Sequence, residues 1–167
     1  MLVRNNLNDI MKPGKPLPSK NLMVKKALEI LDLSPHGQQL SNFAEKKQIK
    51  IDVIETVEPT SYIPEEGKIY IGFNKNRPLS PSSFILMLAG ALREAQQEAA
   101  GIKNPSFDIE RDRHIGIILE KQEDKIWYIC TIALELDSQE MFSEYKFLDE
   151  LRKMGYSESL ELVQKQK

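Results

Sequence analysis

Cysteine is nearly missing from this chain. Cys130 stands alone among 167 residues, so neither a disulfide nor a thiolate metal site can be built from within it. Its place inside the apolar run from Ile126 to Ala133 reads as an inert, buried thiol. Histidine is almost as scarce, with His36 and His114 only, and aromatic residues make up 7% of the chain. Neither sign of charge prevails: 23 Lys and Arg stand against 25 Asp and Glu, and the basic residues are scattered, which excludes a nucleic-acid footprint. Long hydrophobic runs are lacking too. The longest uncharged stretch lies between Arg77 and Arg93, contains two Pro and several Ser, and falls short of the roughly 20 apolar residues that cross a bilayer. Met1 to Lys15 shows no apolar leader with a small-residue cleavage site, so a cytoplasmic location is the expectation.

What remains is the composition of one globular domain, 41% hydrophobic and 29% charged, with eight Gly and nine Pro. A chain of this length buries roughly 70% of its unfolded surface, so its core requires no cofactor, and none is expected. Pro13, Gly14, Pro16 and Pro18 interrupt any helix and make residues 1–18 an arm over the surface of a single domain, 19–167. Ser19 can cap a helix carrying Leu22, Met23, Ala27, Leu28, Ile30 and Leu31 at helical spacing. Ser34 before Pro35 starts a second helix through Leu40, Phe43 and Ala44.

The period then changes to two. Ile49, Ile51 and Val53 alternate with Lys50 and Asp52, and Ile69, Ile71 and Phe73 alternate with Tyr70 and Gly72, predicting an antiparallel pair of strands joined by a loop over Glu58 to Gly67. Ser80 and Pro81 open a third helix that ends near Gly101. From Phe107 to Met154 there is no proline, and helices are predicted around Ile109 to Leu119 and Ile126 to Leu136, with a continuation through Met141, Phe142, Tyr145, Leu148 and Leu151. Asp137 with Glu140 can cap that continuation, and Ser157 a last short helix. The fold class is therefore α+β, predominantly helical with a small antiparallel β-sheet.

Within the third helix the segment Leu88-Ala89-Gly90-Ala91-Leu92-Arg93-Glu94-Ala95-Gln96-Gln97 resembles the signature helix of small bacterial zinc metallopeptidases of the zincin type, L-A-H-E-L-R-H-A-x-Q. Leu88, Ala89, Leu92, Arg93, Ala95 and Gln97 match. Gly90, Ala91 and Glu94 stand where that family has its first zinc histidine, catalytic glutamate and second zinc histidine. The order of elements from residue 35 to 145 follows the family, and Glu135-Leu136-Asp137-Ser138 resembles its E-A-D-A third-ligand segment. The resemblance implies a zincin-like arrangement in which Gly90, Glu94 and Glu135 surround a former metal site.

Chemistry decides what the departures mean. An HExxH helix works because residues four apart share a face, so two imidazoles hold Zn²⁺ while the Glu deprotonates the bound water. Gly90 offers no donor and Ala91 takes no proton. The expected role is accordingly a catalytically inactive metallopeptidase-like domain that binds a peptide or protein partner. An extended peptide would add to the strand Lys68, Ile69, Tyr70, Ile71, Gly72, Phe73, expected at a sheet edge.

Two alternatives stay open. Glu94, Glu135 and Asp137, with His114 if the fold brings it near, are an oxygen-rich set suited to Mg²⁺, Ca²⁺ or Mn²⁺ and to a divalent-metal hydrolase. Or the chain is a helical assembly subunit, with Ser83 to Ala99 forming a homodimer. The remaining candidates read blandly: His36 as an exposed first-turn residue, His114 on a solvated face, Trp127 and Tyr128 as core, and Glu98, Glu120, Glu123 and Asp124 as solvent-facing charges.

Overall fold

The computed structural model describes Leu7, Met11 and residues 20–74, 79–103, 109–139 and 145–166. Its elements are α1 (Lys20–Leu31), α2 (Pro35–Lys47), β1 (Lys50–Glu55), β2 (Ser61–Ile63), β3 (Lys68–Phe73), α3 (Pro81–Ala99), α4 (Arg111–Asp137), α5 (Phe147–Lys153) and α6 (Ser157–Lys165). The α+β class is as expected, mostly helical with one small sheet. The two cap-then-proline starts also form. Ser34 Oγ accepts from Gly37 N at 3.0 Å, and Ser80 Oγ accepts from Ser83 N at 3.0 Å, each with Pro at the first helical position, where its missing N–H leaves nothing unpaired.

The sheet departs from the expectation. Its order is β1-β3-β2, and it is mixed: β1 runs parallel to β3 in the register Lys50 to Lys68, while β2 runs antiparallel with Ser61 opposite Tyr70. The reason is Ser61–Ile63. Hidden in the loop between the two predicted strands, it makes a hairpin with β3 through Pro64 to Gly67, where Gly67 takes φ +58°. The chain thus reverses twice between β1 and β3, and residues 56–67 supply the dozen or so that a parallel connection needs. Lys68 to Phe73 is consequently the middle strand, with β1 along one side and β2 along part of the other.

Helix α3 forms the centre. It touches α1, α2, α4, α5, β2 and β3. Its Phe84, Ile85, Leu86, Leu88, Ala89 and Leu92 are buried with Ile69 and Ile71 of β3 and Val53 of β1. Residues 111–137 form one helix, because the polar stretch Glu120 to Asp124 contains neither Gly nor Pro to break it. Residues 140–144, where the continuation through Met141 and Phe142 and the capping Glu140 were expected, lie outside the described residues. After them α5 begins anew behind Lys146, which takes φ 42°. Most of the N-terminal arm also lies outside the described residues, but Leu7 and Met11, expected over the surface, are buried in the core.

Candidate functional site

Two helices make the site. α3 and α4 run antiparallel, and the four-residue spacing of Gly90 and Glu94 turns both toward α4. What they meet there is Lys125 and Ile129. Glu94 Oε1 accepts from Lys125 Nζ at 2.7 Å, and a Cβ on Gly90 would lie 3.0 Å from Ile129 Cδ1. Ala91 is buried, 3% exposed. The space between Gly90 and Glu94 is thus filled by an aliphatic side chain and an ion pair.

Glu135 is not on this side of the molecule's chemistry. It stands ten positions beyond Lys125, roughly 15 Å along a helix that rises 1.5 Å per residue. Its carboxylate instead accepts from Ser34 Oγ at 2.6 Å and from His36 N at 3.2 Å, and pairs with His36 Nδ1. Glu135 is therefore a cap supplied from α4 to the N-terminus of α2, where unpaired N–H groups and the helix dipole favour a negative charge. The expected convergence of Gly90, Glu94 and Glu135 does not occur, for this geometric reason. The carboxylate set Glu94, Glu135 and Asp137 fails with it, since Asp137 is exposed at the end of α4 and His114 sits near the opposite end. Among the described residues no three His, Cys, Asp or Glu side chains group where they would hold a metal ion. Ser34, His36 and Glu135 do meet, yet His36 does not stand between the hydroxyl and the carboxylate, and Ser34 is fully buried, so this is a cap and not a nucleophile.

The acid that faces α3 is Asp124, which the sequence offered as a solvent-facing charge. Arg93 grips it with two bonds, Nε to Oδ2 at 2.8 Å and Nη2 to Oδ1 at 3.0 Å. Gln97 Nε2 adds a third at 2.7 Å and also donates to the Lys121 carbonyl at 3.0 Å. The hydrogen bonds from Arg93 hold the Asp124 carboxyl below its usual range. The signal for this was available in α3: Arg93 and Gln97 are four apart, on one face, and need an acceptor opposite. Arg93 also covers the Tyr128 ring at 4.3 Å, and Tyr128 donates to Gln39 of α2 at 2.8 Å. Burial pushes the Tyr128 phenol up. Its neighbour Trp127, expected in the core, is 38% exposed, and both rings meet the edge of His36. Cys130 is fully buried, and burial raises its thiol to about 11, as an inert thiol requires.

Beside this network a cavity of about 230 Å³ opens between β2 and the two helices. Ser61 and Tyr62 of β2, Glu94 and Gln97 of α3, and Lys121 and Lys125 of α4 line it. Gln97 is only 3% exposed, and its two donor hydrogens are spent on Asp124 and Lys121, so the amide orientation is fixed. Among the described residues its Oε1 has no hydrogen-bond partner. A buried acceptor left alone costs about 1–3 kcal/mol. Strand β2 is terminal in the sheet, with no strand beyond it among the described residues. The strand Lys68 to Phe73, by contrast, cannot take a peptide along its length. β1 pairs with all six residues, β2 with Lys68 to Tyr70, and beyond them Thr60 Oγ1 accepts from Gly72 N at 3.3 Å. Helix α3 does not offer a dimer face either: Phe84, Ile85, Leu88, Leu92 and Ala95 are covered by the chain itself. No described helix is long and apolar enough to cross a membrane. No protein-family model, no curated protein and no solved structure matches this chain.

Proposed function

We propose that the protein is a non-catalytic relative of zincin-type peptidases that binds an extended peptide or protein segment in the groove between β2, α3 and α4. The observation that carries this reading is the groove itself, flanked by a terminal strand and lined by Glu94, Gln97, Lys121 and Lys125, with Gln97 Oε1 buried beside it and unpartnered among the described residues. Strand addition supplies backbone hydrogen bonds without a metal. The changes at Gly90, Ala91 and Glu94, with the Glu94–Lys125 pair in the same place, support the absence of hydrolysis. The order of elements and the six matching residues of the signature helix support descent from that family.

The test is a titration of the full chain with extended peptides of about ten residues selected from an array, followed by amide chemical shifts. Backbone amides of residues 61–64 and the Gln97 side-chain amide are expected to move together. Binders that perturb neither group would remove the reading, and cleavage of any bound peptide would overturn its non-catalytic half.

A further inference from the structure

The hydrogen bonds of β3 fix which backbone groups of β2 face its open edge. Gly72 N donates to Thr60 Oγ1 on the β2 side, and Phe73 O accepts from Thr56 N on the β1 side. Backbone groups alternate sides along a strand, so Lys68 and Tyr70 also turn theirs toward β2, onto Ile63 and Ser61, their partners in register. Tyr62, between those two, is left with its N–H and C=O directed away from β3, where no described strand lies. Its side chain packs on the core and lines the cavity. A residue of an added strand that takes both backbone bonds of Tyr62 stands directly opposite it. That residue sends its side chain to the same face as Tyr62, into the cavity.

Charge decides what that side chain can be. Among the described residues four charged groups line the cavity, Glu94 and Glu98 of α3 and Lys121 and Lys125 of α4. Glu94 is paired with Lys125 at 2.7 Å, and Lys121 has a partner of its own. The Glu98 carboxylate has none among the described residues, so the charge left over in the cavity is negative. Gln97 Oε1, buried beside it and also unpartnered among the described residues, has the same sign. The segment around β2 agrees: between Lys50 and Lys68 the chain carries five Asp and Glu and no Lys or Arg. We propose that the groove is specific for an extended segment whose residue opposite Tyr62 is Lys or Arg, with its aliphatic stem on Ile118 and its charged head at Glu98. Ile118 lines the same cavity and is 38% exposed, an apolar surface that such a stem covers while its head stays among polar groups. An acidic side chain there would meet Glu98 with no cation left to offset it. The inference rests on the peptide-binding reading and adds to it a residue type and a register.

Calorimetric titration of the full chain tests it, with array-selected peptides in which each position in turn is set to Arg, Lys, Gln or Glu. One position is expected to prefer Arg or Lys, about fivefold over Gln and about thirtyfold over Glu. N-methylation of that residue should abolish binding, because its N–H bonds to Tyr62, whereas N-methylation of either neighbour, whose N–H points away, should cost less. Glu98→Gln is expected to cut the preference for Arg over Glu to about threefold, and Glu98→Lys to reverse it. The Glu98 carboxylate has no partner among the described residues, so neither change removes a contact that the fold uses. Peptides that shift the amides of residues 61–64 yet bind equally well with Arg, Gln or Glu at every position would overturn the inference and leave the peptide-binding reading standing. A basic preference that survives Glu98→Lys, or that falls on a residue whose N-methylation is harmless, would do the same. If no peptide binds at all, both fall together.

Discussion

Two carboxylates on α4 tie that helix to the rest of the molecule, and they do so differently. At Glu135 every polar group of the contact is answered: Ser34 Oγ, His36 N and the His36 ring all point at one carboxylate, in a region 16% exposed at the Glu135 side chain. At Asp124 the grip by Arg93 and Gln97 is just as direct, but the side chain is 40% exposed and one buried acceptor, Gln97 Oε1, has no partner among the described residues. The Glu135 contact, at the C-terminal end of α4, is closed. The Asp124 contact, at the middle of α4, borders the groove, and Gly90 and Glu94 face the helix between the two, at Lys125 and Ile129. An acidic residue in a motif is thus no guide by itself to its role; the partners it has already satisfied are.

Removing Glu135 should produce the larger effect. In Glu135→Ala the fully buried Ser34 hydroxyl loses its acceptor, and the first turn of α2 loses its anionic cap. The expected loss is about 2–3 kcal/mol, read as a fall of roughly 5–10 °C in Tm. Calorimetry showing a loss under about 0.5 kcal/mol would dissolve the distinction between the two contacts.

Asp124→Asn should cost less at neutral pH, about 1 kcal/mol, because the pair is partly exposed and the amide keeps one acceptor. Its pH dependence is the sharper reading. Arg93 first, then Gln97, holds the Asp124 carboxyl below its usual value, against an opposing effect of burial. The stabilisation is therefore present above the unfolded pKa, about 4, and is lost as pH falls through the lower folded value. Urea unfolding at a series of pH values should show the wild type losing stability below about pH 4 more steeply than the Asn variant. Superimposable profiles would mean that the Arg93 contact contributes nothing in solution.

Much of the fold was legible because its signals are local. Both Ser-Pro starts, the alternation in β1 and β3 and the apolar stripe of α3 are properties of neighbouring residues, and each appears in the structure. What the sequence concealed was relational. Alternation marks a strand without giving its direction, so the parallel pairing of β1 with β3 depended on the three residues of β2, too short to carry a period. The polar stretch Glu120 to Asp124 looked like a break between helices because the pairing of Asp124 with Arg93 spans 31 residues and leaves no trace in spacing along the chain. His36 looked exposed for the same reason: its carboxylate partner lies 99 residues away. The four-residue spacing of Gly90 and Glu94 gave the face on which they sit, and nothing about which residues of α4 that face would meet.

The smallest expected effect bears on why Gly90 is a glycine at all. Alanine is favoured over glycine in a helix interior by about 1 kcal/mol, so Gly90→Ala would stabilise the protein if the site had room. The new Cβ would instead lie 3.0 Å from Ile129 Cδ1, with Ile129 Cγ1 and Lys125 Cδ at 3.8 Å behind it. Cδ1 is the free end of its side chain and can retreat by a few tenths of an ångström, but Ile129 is only 3% exposed and its neighbours are packed. Propensity gain and packing loss should nearly cancel, leaving a change within about 0.5 kcal/mol in urea unfolding. A gain of the full propensity difference would mean that Ile129 is loosely held and that the space facing Gly90 is free for a larger group. A loss above about 1 kcal/mol would mean a tight helix crossing at Gly90, in which an imidazole at this position could not be accommodated without displacing Ile129. Either result would describe the middle of α4 by its packing rather than by its hydrogen bonds.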